Sequence, residues 1–119
     1  MKEKILFVNS CVRGDNESRT LALAKTALSR LDGDIEEIRL ADADLKPLDA
    51  AGLAKRAESA EKNDFSDPVY DCAKQFAACD TVVIAAPFWD YSFPAFLKIY
   101  IESPVSYTHL RAHETAANL

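Results

Sequence analysis

The stretch from Asp80 to Glu102 decides the fold, and it reads DTVVIAAPFWDYSFPAFLKIYIE. Its first part, Thr81 to Ala86, is a nearly continuous apolar run rich in β-branched residues. Such a run is typical of a strand buried on both faces of a parallel sheet. Pro87 ends this strand because proline has no N–H to donate. The stretch therefore predicts a strand, an aromatic loop and a helix in succession.

The helix of this stretch is expected from Phe93 to Glu102. Ser92 is the expected N-cap, and Pro94 falls in the first turn, where its missing N–H has no cost. The loop before the helix carries Phe88, Trp89, Asp90 and Tyr91. Ligands of open α/β sheets bind in loops outside the carboxyl ends of the strands, and aromatic rings there suit a flat ring system. The apolar face of the helix is predicted to comprise Phe93, Phe96, Leu97, Tyr100 and Ile101.

The N-terminal part of the chain predicts a β-α-β unit. Its first strand runs from Lys4 to Ser10, its helix from about Ser18 to Leu31, and its second strand from Ile35 to Leu40. The second strand is more polar than the others, as suits the edge of a sheet. Crossovers of this kind are right-handed almost without exception. The buried stripe of the helix is predicted to comprise Leu21, Ala24, Ala27, Leu28 and Leu31.

The middle of the chain predicts two more helices, at residues 51–62 and 68–79, the second capped by Asp67. The resulting order of elements calls for a parallel sheet with helices on both faces. A flavodoxin-like 2-1-3 strand order would place the third strand beside the first, and their C-terminal loops would then converge on one crevice. We therefore expect a doubly wound α/β sheet of which the later strands are missing here.

Composition narrows the class of protein. The 119 residues fit one domain, with 49% apolar and 28% charged residues and a net charge of −5. This charge gives no support for nucleic-acid or membrane binding. Cys11, Cys72 and Cys79 have no metal-ligand spacing, and their odd number favours free thiols in a reducing compartment. With no targeting segment visible, the expected location is the cytoplasm.

The end of the chain reads differently from the rest. Residues 104–119 are PVSYTHLRAHETAANL, and Pro104 to Thr115 matches the translation of a transposase adapter used in DNA sequencing libraries. We expect residues 104–119 to be a non-native tail and the authentic protein to continue beyond Ser103. Both histidines, His109 and His113, lie in this tail, so neither metal binding nor histidine catalysis is predicted.

The loop between the first strand and the first helix is a candidate anion site. Free N–H groups and the helix dipole favour phosphate at a helix N-terminus, and the Ser10 and Ser18 hydroxyls would add donors. The loop has neither the Gly-x-Gly-x-x-Gly pattern of dinucleotide sites nor that of a P-loop. On the residues alone, phosphate binding and simple capping by these serines remain equally supported.

Three segments together resemble the FMN-dependent NADH azoreductase and NAD(P)H:quinone oxidoreductase group of flavodoxin-like proteins. They are residues 4–10 (KILFVNS), 16–20 (NESRT) and, most specifically, 86–98 (APFWDYSFPAFLK). The resemblance covers about residues 1–103, the N-terminal half of a family member. It departs from the family at Trp89-Asp90, where Tyr-Asn is commoner, and a further Gly-rich flavin loop is not present. The resemblance implies that the FMN-binding residues are Ser10, Asn16, Glu17 and Ser18 for the phosphate, and Pro87, Phe88, Trp89, Asp90 and Tyr91 for the flavin.

The resemblance also implies an activity. NAD(P)H would reduce FMN, and the flavin would pass electrons to a quinone, azo or nitro compound, with the protein as a homodimer. Because the cofactor carries the chemistry, no catalytic side chain is expected. The alternative is a flavodoxin-type electron carrier that binds FMN without nicotinamide-dependent turnover. The 119 residues alone are expected to be inactive.

Overall fold

A computed structural model describes residues 2–11, 18–88 and 92–102 of the chain. Within them, three parallel strands form one sheet in the order β2-β1-β3, so the predicted 2-1-3 order is confirmed. The elements are β1 (Glu3–Asn9), α1 (Arg19–Ser29), β2 (Gly33–Arg39), α2 (Ala50–Lys62), a 3-10 turn (Pro68–Tyr70), α3 (Asp71–Ala78), β3 (Thr81–Ala85) and α4 (Ala95–Tyr100).

Strand β1 is the centre of the core, and its side chains alternate between two apolar layers. Ile5 and Phe7 pack in one layer with Leu21 and Leu28 of α1. The opposite layer comprises Leu6, Val8, Leu40, Leu97 and Tyr100, with half-buried residues of α3 against it. The predicted arrangement of helices on both faces of the sheet is therefore confirmed, because each face of β1 is covered by helices from a different part of the chain.

Strand β2 lies at one edge of the sheet, as its polar sequence predicted. Most of its residues are exposed, and the strand pairs only with β1 among the described strands. The close pairing at its start depends on Gly33, because a Cβ there would overlap the carbonyl oxygen of Glu3. Glycine is required at the first residue of β2 because a side chain would not fit there, and not because the backbone adopts an unusual conformation.

Strand β3 is less buried than the sequence predicted. Thr81, Val82 and Val83 are half-buried, and 48% of Ile84 is exposed. The reason is positional, since among the described residues β3 pairs with β1 on one side only. Both faces of the strand still pack against core residues, Val83 in the layer of α1 and Val82 in the opposite layer, so the predicted burial is present but incomplete.

Helix α4 is shorter than predicted, beginning at Ala95 rather than Phe93. Pro94 occupies the N-cap position with an extended ψ of 148°, and no side chain caps the helix, so the predicted cap at Ser92 is wrong. The residue before a proline is disfavoured in the helical region, which keeps Phe93 outside the helix. Phe93 and Ile101 are exposed, while Leu97 and Tyr100 are buried as predicted.

The predictions for the other helices differ less from the structure. The predicted stripe of α1 is buried at Leu21, Ala24 and Leu28, whereas Ala27 and Leu31 are exposed. The predicted helix at residues 68–79 begins as a 3-10 turn, and the side chain of Asp67 caps it as expected by accepting the N–H of Val69. Helix α2 is confirmed but buries none of its residues. None of the described helices is long and apolar enough to cross a membrane.

Candidate cofactor site

The carboxyl ends of β1 and β3 meet at Ser10. Its backbone N–H donates to the carbonyl oxygen of Ala85 at 3.0 Å, and its hydroxyl donates to the same oxygen at 2.6 Å. Ser10 is completely buried. The predicted convergence of the loops after the first and third strands is therefore present at their starting points. Because the hydroxyl hydrogen is already used, Ser10 acts in this structure as a link between the two strands.

Asn9 fixes the start of the first loop, and sequence reasoning did not single it out. Its Oδ1 accepts the backbone N–H of Cys11 at 3.0 Å, and its Nδ2 donates to Oε2 of Glu37 at 3.2 Å. Asn9 is also almost fully buried. An amide side chain at the last residue of an apolar strand was the available signal, since a buried polar group must find partners.

Ser18 caps helix α1, as predicted. Its backbone is extended, with φ −91° and ψ 115°, and its Oγ accepts the N–H of Leu21 at 3.0 Å. A hydroxyl that accepts in this way keeps its own hydrogen for donation. The first turn of α1 carries no acidic residue. The N-terminus of α1 therefore combines the positive end of the helix dipole, N–H groups without intrahelical acceptors and the hydroxyl hydrogen of Ser18. Together they are the donors that a phosphate needs.

The loop after β3 begins with Pro87, which is half-buried, and Phe88, which is 73% exposed. These two residues follow directly from the strand end that Ser10 holds. The remaining predicted flavin contacts, Trp89, Asp90 and Tyr91, lie outside the described residues, as do the predicted phosphate contacts Asn16 and Glu17. The structure thus brings together Ser10 and the strand leading to Pro87, and it places Ser18 at the start of the helix packed beside β1.

The surroundings of Cys72 in α3 and of Cys79 at its C-cap do not favour thiol reactivity. Burial raises the pKa of the Cys72 thiol and of the Cys79 thiol. Burial likewise raises the pKa of Tyr100, whose buried hydroxyl finds no hydrogen-bond partner among residues 2–11, 18–88 and 92–102. Raised pKa values keep these groups protonated at neutral pH, so the cysteines act as small core residues.

Comparison with known families agrees with this geometry. The model of the family described as having a flavodoxin-like fold matches residues 3–116. The chain belongs to this family. Membership in the family accounts for the α/β architecture and for the order of the three described strands.

Several curated relatives are named FMN-dependent NADH:quinone oxidoreductase. The protein from Clostridium perfringens (strain SM101 / Type A) is 30% identical over 104 residues, covering 83% of this chain and 52% of the relative. The protein from Coprothermobacter proteolyticus is 31% identical with the same coverage, and that from Stenotrophomonas maltophilia is 33% identical over 102 residues, covering 83% and 50%. The chain spans about half the length of the curated relatives it matches.

Solved structures of azoreductases share the fold. The azoreductase from Bacillus anthracis strain Sterne superposes with a TM-score of 0.64 at 23% identity, covering 84% of this chain and 54% of that one. A FMN-dependent NADH-azoreductase from Bacillus anthracis strain Ames Ancestor, solved in complex with FMN, gives a TM-score of 0.65 at 21% identity, covering 83% and 54%.

Proposed function

We propose that this chain is part of an FMN-dependent oxidoreductase that passes electrons from NAD(P)H to a quinone, azo or nitro acceptor. One observation of the structure carries the proposal. Ser10 joins the ends of β1 and β3, so the two loops that would hold FMN start from one point. The names of the relatives, FMN-dependent NADH:quinone oxidoreductase, support the same reaction class.

The phosphate of FMN would bind at the start of α1. Ser18 would donate its free hydroxyl hydrogen while still accepting from Leu21, and the amides of the first turn would donate beside it. We assign Asn16 and Glu17 to the same phosphate, with Glu17 offering its backbone N–H. Ser10 would contribute by fixing the loop, since its hydroxyl is already bonded to Ala85.

The flavin ring would lie against the loop after β3. Pro87 and Phe88 begin this loop, and we assign Trp89, Asp90 and Tyr91 to the same contact. FMN would supply the redox chemistry, accepting a hydride from the nicotinamide and releasing electrons to the acceptor. The residues of this chain would hold and orient the ring and exclude water from it, and none needs to transfer a proton.

The boundaries of the domain are part of the proposal. We assign residues 1–103 to a flavodoxin-like FMN-binding domain and residues 104–119 to a non-native tail. In the full-length protein further strands would continue the sheet beyond β3, and the relatives' greater length is consistent with this. A cytoplasmic homodimer, with partners limited to small-molecule donors and acceptors, completes the proposal.

Turnover by the full-length protein tests the function. The uninterrupted gene would be expressed, and NADH and NADPH oxidation measured with a quinone, an azo dye and a nitro compound. We expect steady turnover with at least one acceptor, and its dependence on added FMN after the cofactor has been removed. FMN binding without any nicotinamide oxidation would instead indicate the flavodoxin-type electron carrier.

A further inference from the structure

The side chain of Asn9 is a buried polar group at the point where the chain leaves the sheet. The pairings of β1 with β2 and with β3 both end at Asn9. The N–H of Ser10 still bonds to the neighbouring strand at Ala85, but the N–H of Cys11 bonds to Oδ1 of Asn9 at 3.0 Å. Asparagine commonly turns the chain by accepting an N–H two residues further on. Asn9 therefore sets the direction in which the chain continues beyond β1.

Glu37 on β2 holds the Asn9 amide in one orientation. A carboxylate can only accept a hydrogen bond, and a backbone N–H can only donate one. Nδ2 of Asn9 must therefore face Glu37, to which it donates at 3.2 Å, and Oδ1 must face the N–H of Cys11. The last torsion of an asparagine side chain has a broad range of its own. Without the carboxylate, the amide could therefore turn away from Cys11.

The chain that Asn9 redirects packs beside the helix end that would receive a phosphate. Cys11 is buried in the same apolar layer as Leu21, which lies in the first turn of α1. The N–H of Leu21 in turn bonds to Oγ of Ser18, the N-cap of this helix. Hydrogen bonds and packing thus connect Glu37, at the edge of the sheet, to the start of α1.

We propose that Asn9 and Glu37 form a positioning pair for the FMN phosphate, an inference that rests on the proposed function. Both side chains act through Cys11 rather than by touching the phosphate. Glu37 fixes the Asn9 amide, and Asn9 fixes the N–H of Cys11, so the start of the loop is held beside α1 before the cofactor binds. A loop held in this way loses less conformational freedom on binding, which raises the affinity.

Removing the Glu37 carboxylate separates positioning from charge, because the two effects have opposite signs. A negative charge near a phosphate is repulsive, so its loss alone would strengthen FMN binding or leave it unchanged. The positioning pair predicts instead that Glu37→Ala in the full-length protein weakens FMN binding about threefold, as for a partly lost hydrogen bond. Riboflavin, which lacks the phosphate, should be affected less. Fluorescence titration with both ligands measures the two affinities.

Glu36→Ala is the matched control for charge. It removes the same charge from the adjacent position of β2, whose side chain points to the other face of the sheet. There the Glu36 carboxylate accepts from Nε2 of Gln75 on α3 at 2.6 Å. We expect Glu36→Ala to leave the ratio of FMN to riboflavin affinity unchanged. An equal fall in this ratio for both variants would overturn the proposal, as would a ratio that Glu37→Ala does not lower.

Hydrogen exchange measures the geometry of the pair without the cofactor. In the FMN-free full-length protein, the N–H of Cys11 should exchange faster in Glu37→Ala and in Asn9→Ala than in the unsubstituted protein, and Glu36→Ala should not change it. Glu37 is exposed, so its truncation leaves no cavity in the core. Unchanged exchange at Cys11 in Glu37→Ala would overturn the pair alone, whereas an unsubstituted protein that binds no FMN would overturn the proposed function itself.

Discussion

Which serine of the candidate site can donate to a phosphate depends on where the hydrogen of each hydroxyl is bonded. Ser10 and Ser18 looked alike in the sequence, each a small polar residue beside a loop. The structure separates them, because the hydrogen of the Ser10 hydroxyl is bonded to Ala85 while Ser18 accepts from Leu21 and keeps its own. The hydrogen bond from Ser10 to Ala85 depends on the register of β3 against β1. The residues around Ser10 therefore could not predict it.

Removing the Ser18 hydroxyl should weaken FMN binding in the full-length protein. We expect Ser18→Ala to cost about 1–2 kcal/mol, the scale of a hydrogen bond to a charged group. Riboflavin, which lacks the phosphate, should bind almost as before. Fluorescence titration with both ligands measures the difference, and Ser29→Ala at the other end of α1 is the control.

A second substitution at this position separates capping from phosphate binding. Aspartate is as good an N-cap as serine, but its charge repels phosphate. Ser18→Asp should therefore keep the helix and lose FMN affinity. Equal losses for FMN and riboflavin in both variants would remove the phosphate role from Ser18.

Gly33 is a second residue whose surroundings allow a specific prediction, in this case about stability. Its replacement by alanine should destabilise the full-length protein by roughly 1–3 kcal/mol, as for other overpacked sites, because the new methyl overlaps the Glu3 carbonyl. Gly52→Ala is a matched comparison, since the nearest atom to its added methyl is the end of the Leu48 side chain, at 3.0 Å. Urea unfolding should show a loss for Gly33→Ala and little change for Gly52→Ala. A neutral Gly33→Ala would contradict the close approach of β2 to β1.

At the scale of elements, periodicity predicted the strands and helices well and their ends less well. The apolar runs of β1 and β3 gave both strands to within a residue or two. The start of α4 was predicted two residues too early, because both Ser92 and Pro94 are residues that commonly begin a helix. The restriction that Pro94 imposes on the backbone of Phe93 keeps Phe93 out of the helix. Helix α2 was predicted from its Ala, Lys and Glu content, but its lack of buried residues could not be read from that composition.

Polar contacts, rather than burial, hold α2 to the segment before α3. Lys55 pairs with Asp67 at 2.6 Å, and the Tyr70 hydroxyl donates to Ser59 Oγ at 2.5 Å. The hydrogen bond from Lys55 is the main cause that lowers the pKa of Asp67, followed by that from the Val69 N–H. A lowered carboxyl pKa contributes stability above the unfolded pKa, and this contribution is lost as the pH falls through the folded value.

We therefore predict that α2 loosens in acid, below the ordinary Asp67 value of 3.8. Hydrogen exchange of α2 should be faster in Asp67→Asn than in the unsubstituted protein at pH 7, and the two should converge as the pH falls. Asp64→Asn is the control, because its carboxylate bonds Ser66 rather than α2. Unchanged exchange in Asp67→Asn would show that this ion pair does not hold the helix.

At the scale of the whole molecule, the chain carries two of the loops that would hold FMN and about half the length of its relatives. We expect the 119-residue chain alone not to retain FMN, because the ring would be covered from one side of the site only. Size-exclusion chromatography with absorbance in the flavin band measures this. A yellow, monomeric 119-residue protein would show instead that these residues suffice for cofactor binding.

The aromatic residues after β3 indicated a site for a flat ring, but only the resemblance assigned individual flavin contacts there. Phe88 and its neighbours form no periodic pattern, since they follow the strand in a loop whose conformation local sequence does not determine. The fold, by contrast, followed from the apolar runs of β1 and β3, because burial in a parallel sheet imposes that pattern on any chain.

Anaerobic reduction of the full-length protein tests the central claim most directly. The purified protein would be loaded with FMN and mixed with NADH or NADPH in the absence of oxygen and of any acceptor. The account predicts that the flavin absorbance bleaches with one of the two nicotinamides and returns when a quinone is added. A protein that binds FMN but whose absorbance neither nicotinamide changes would contradict it.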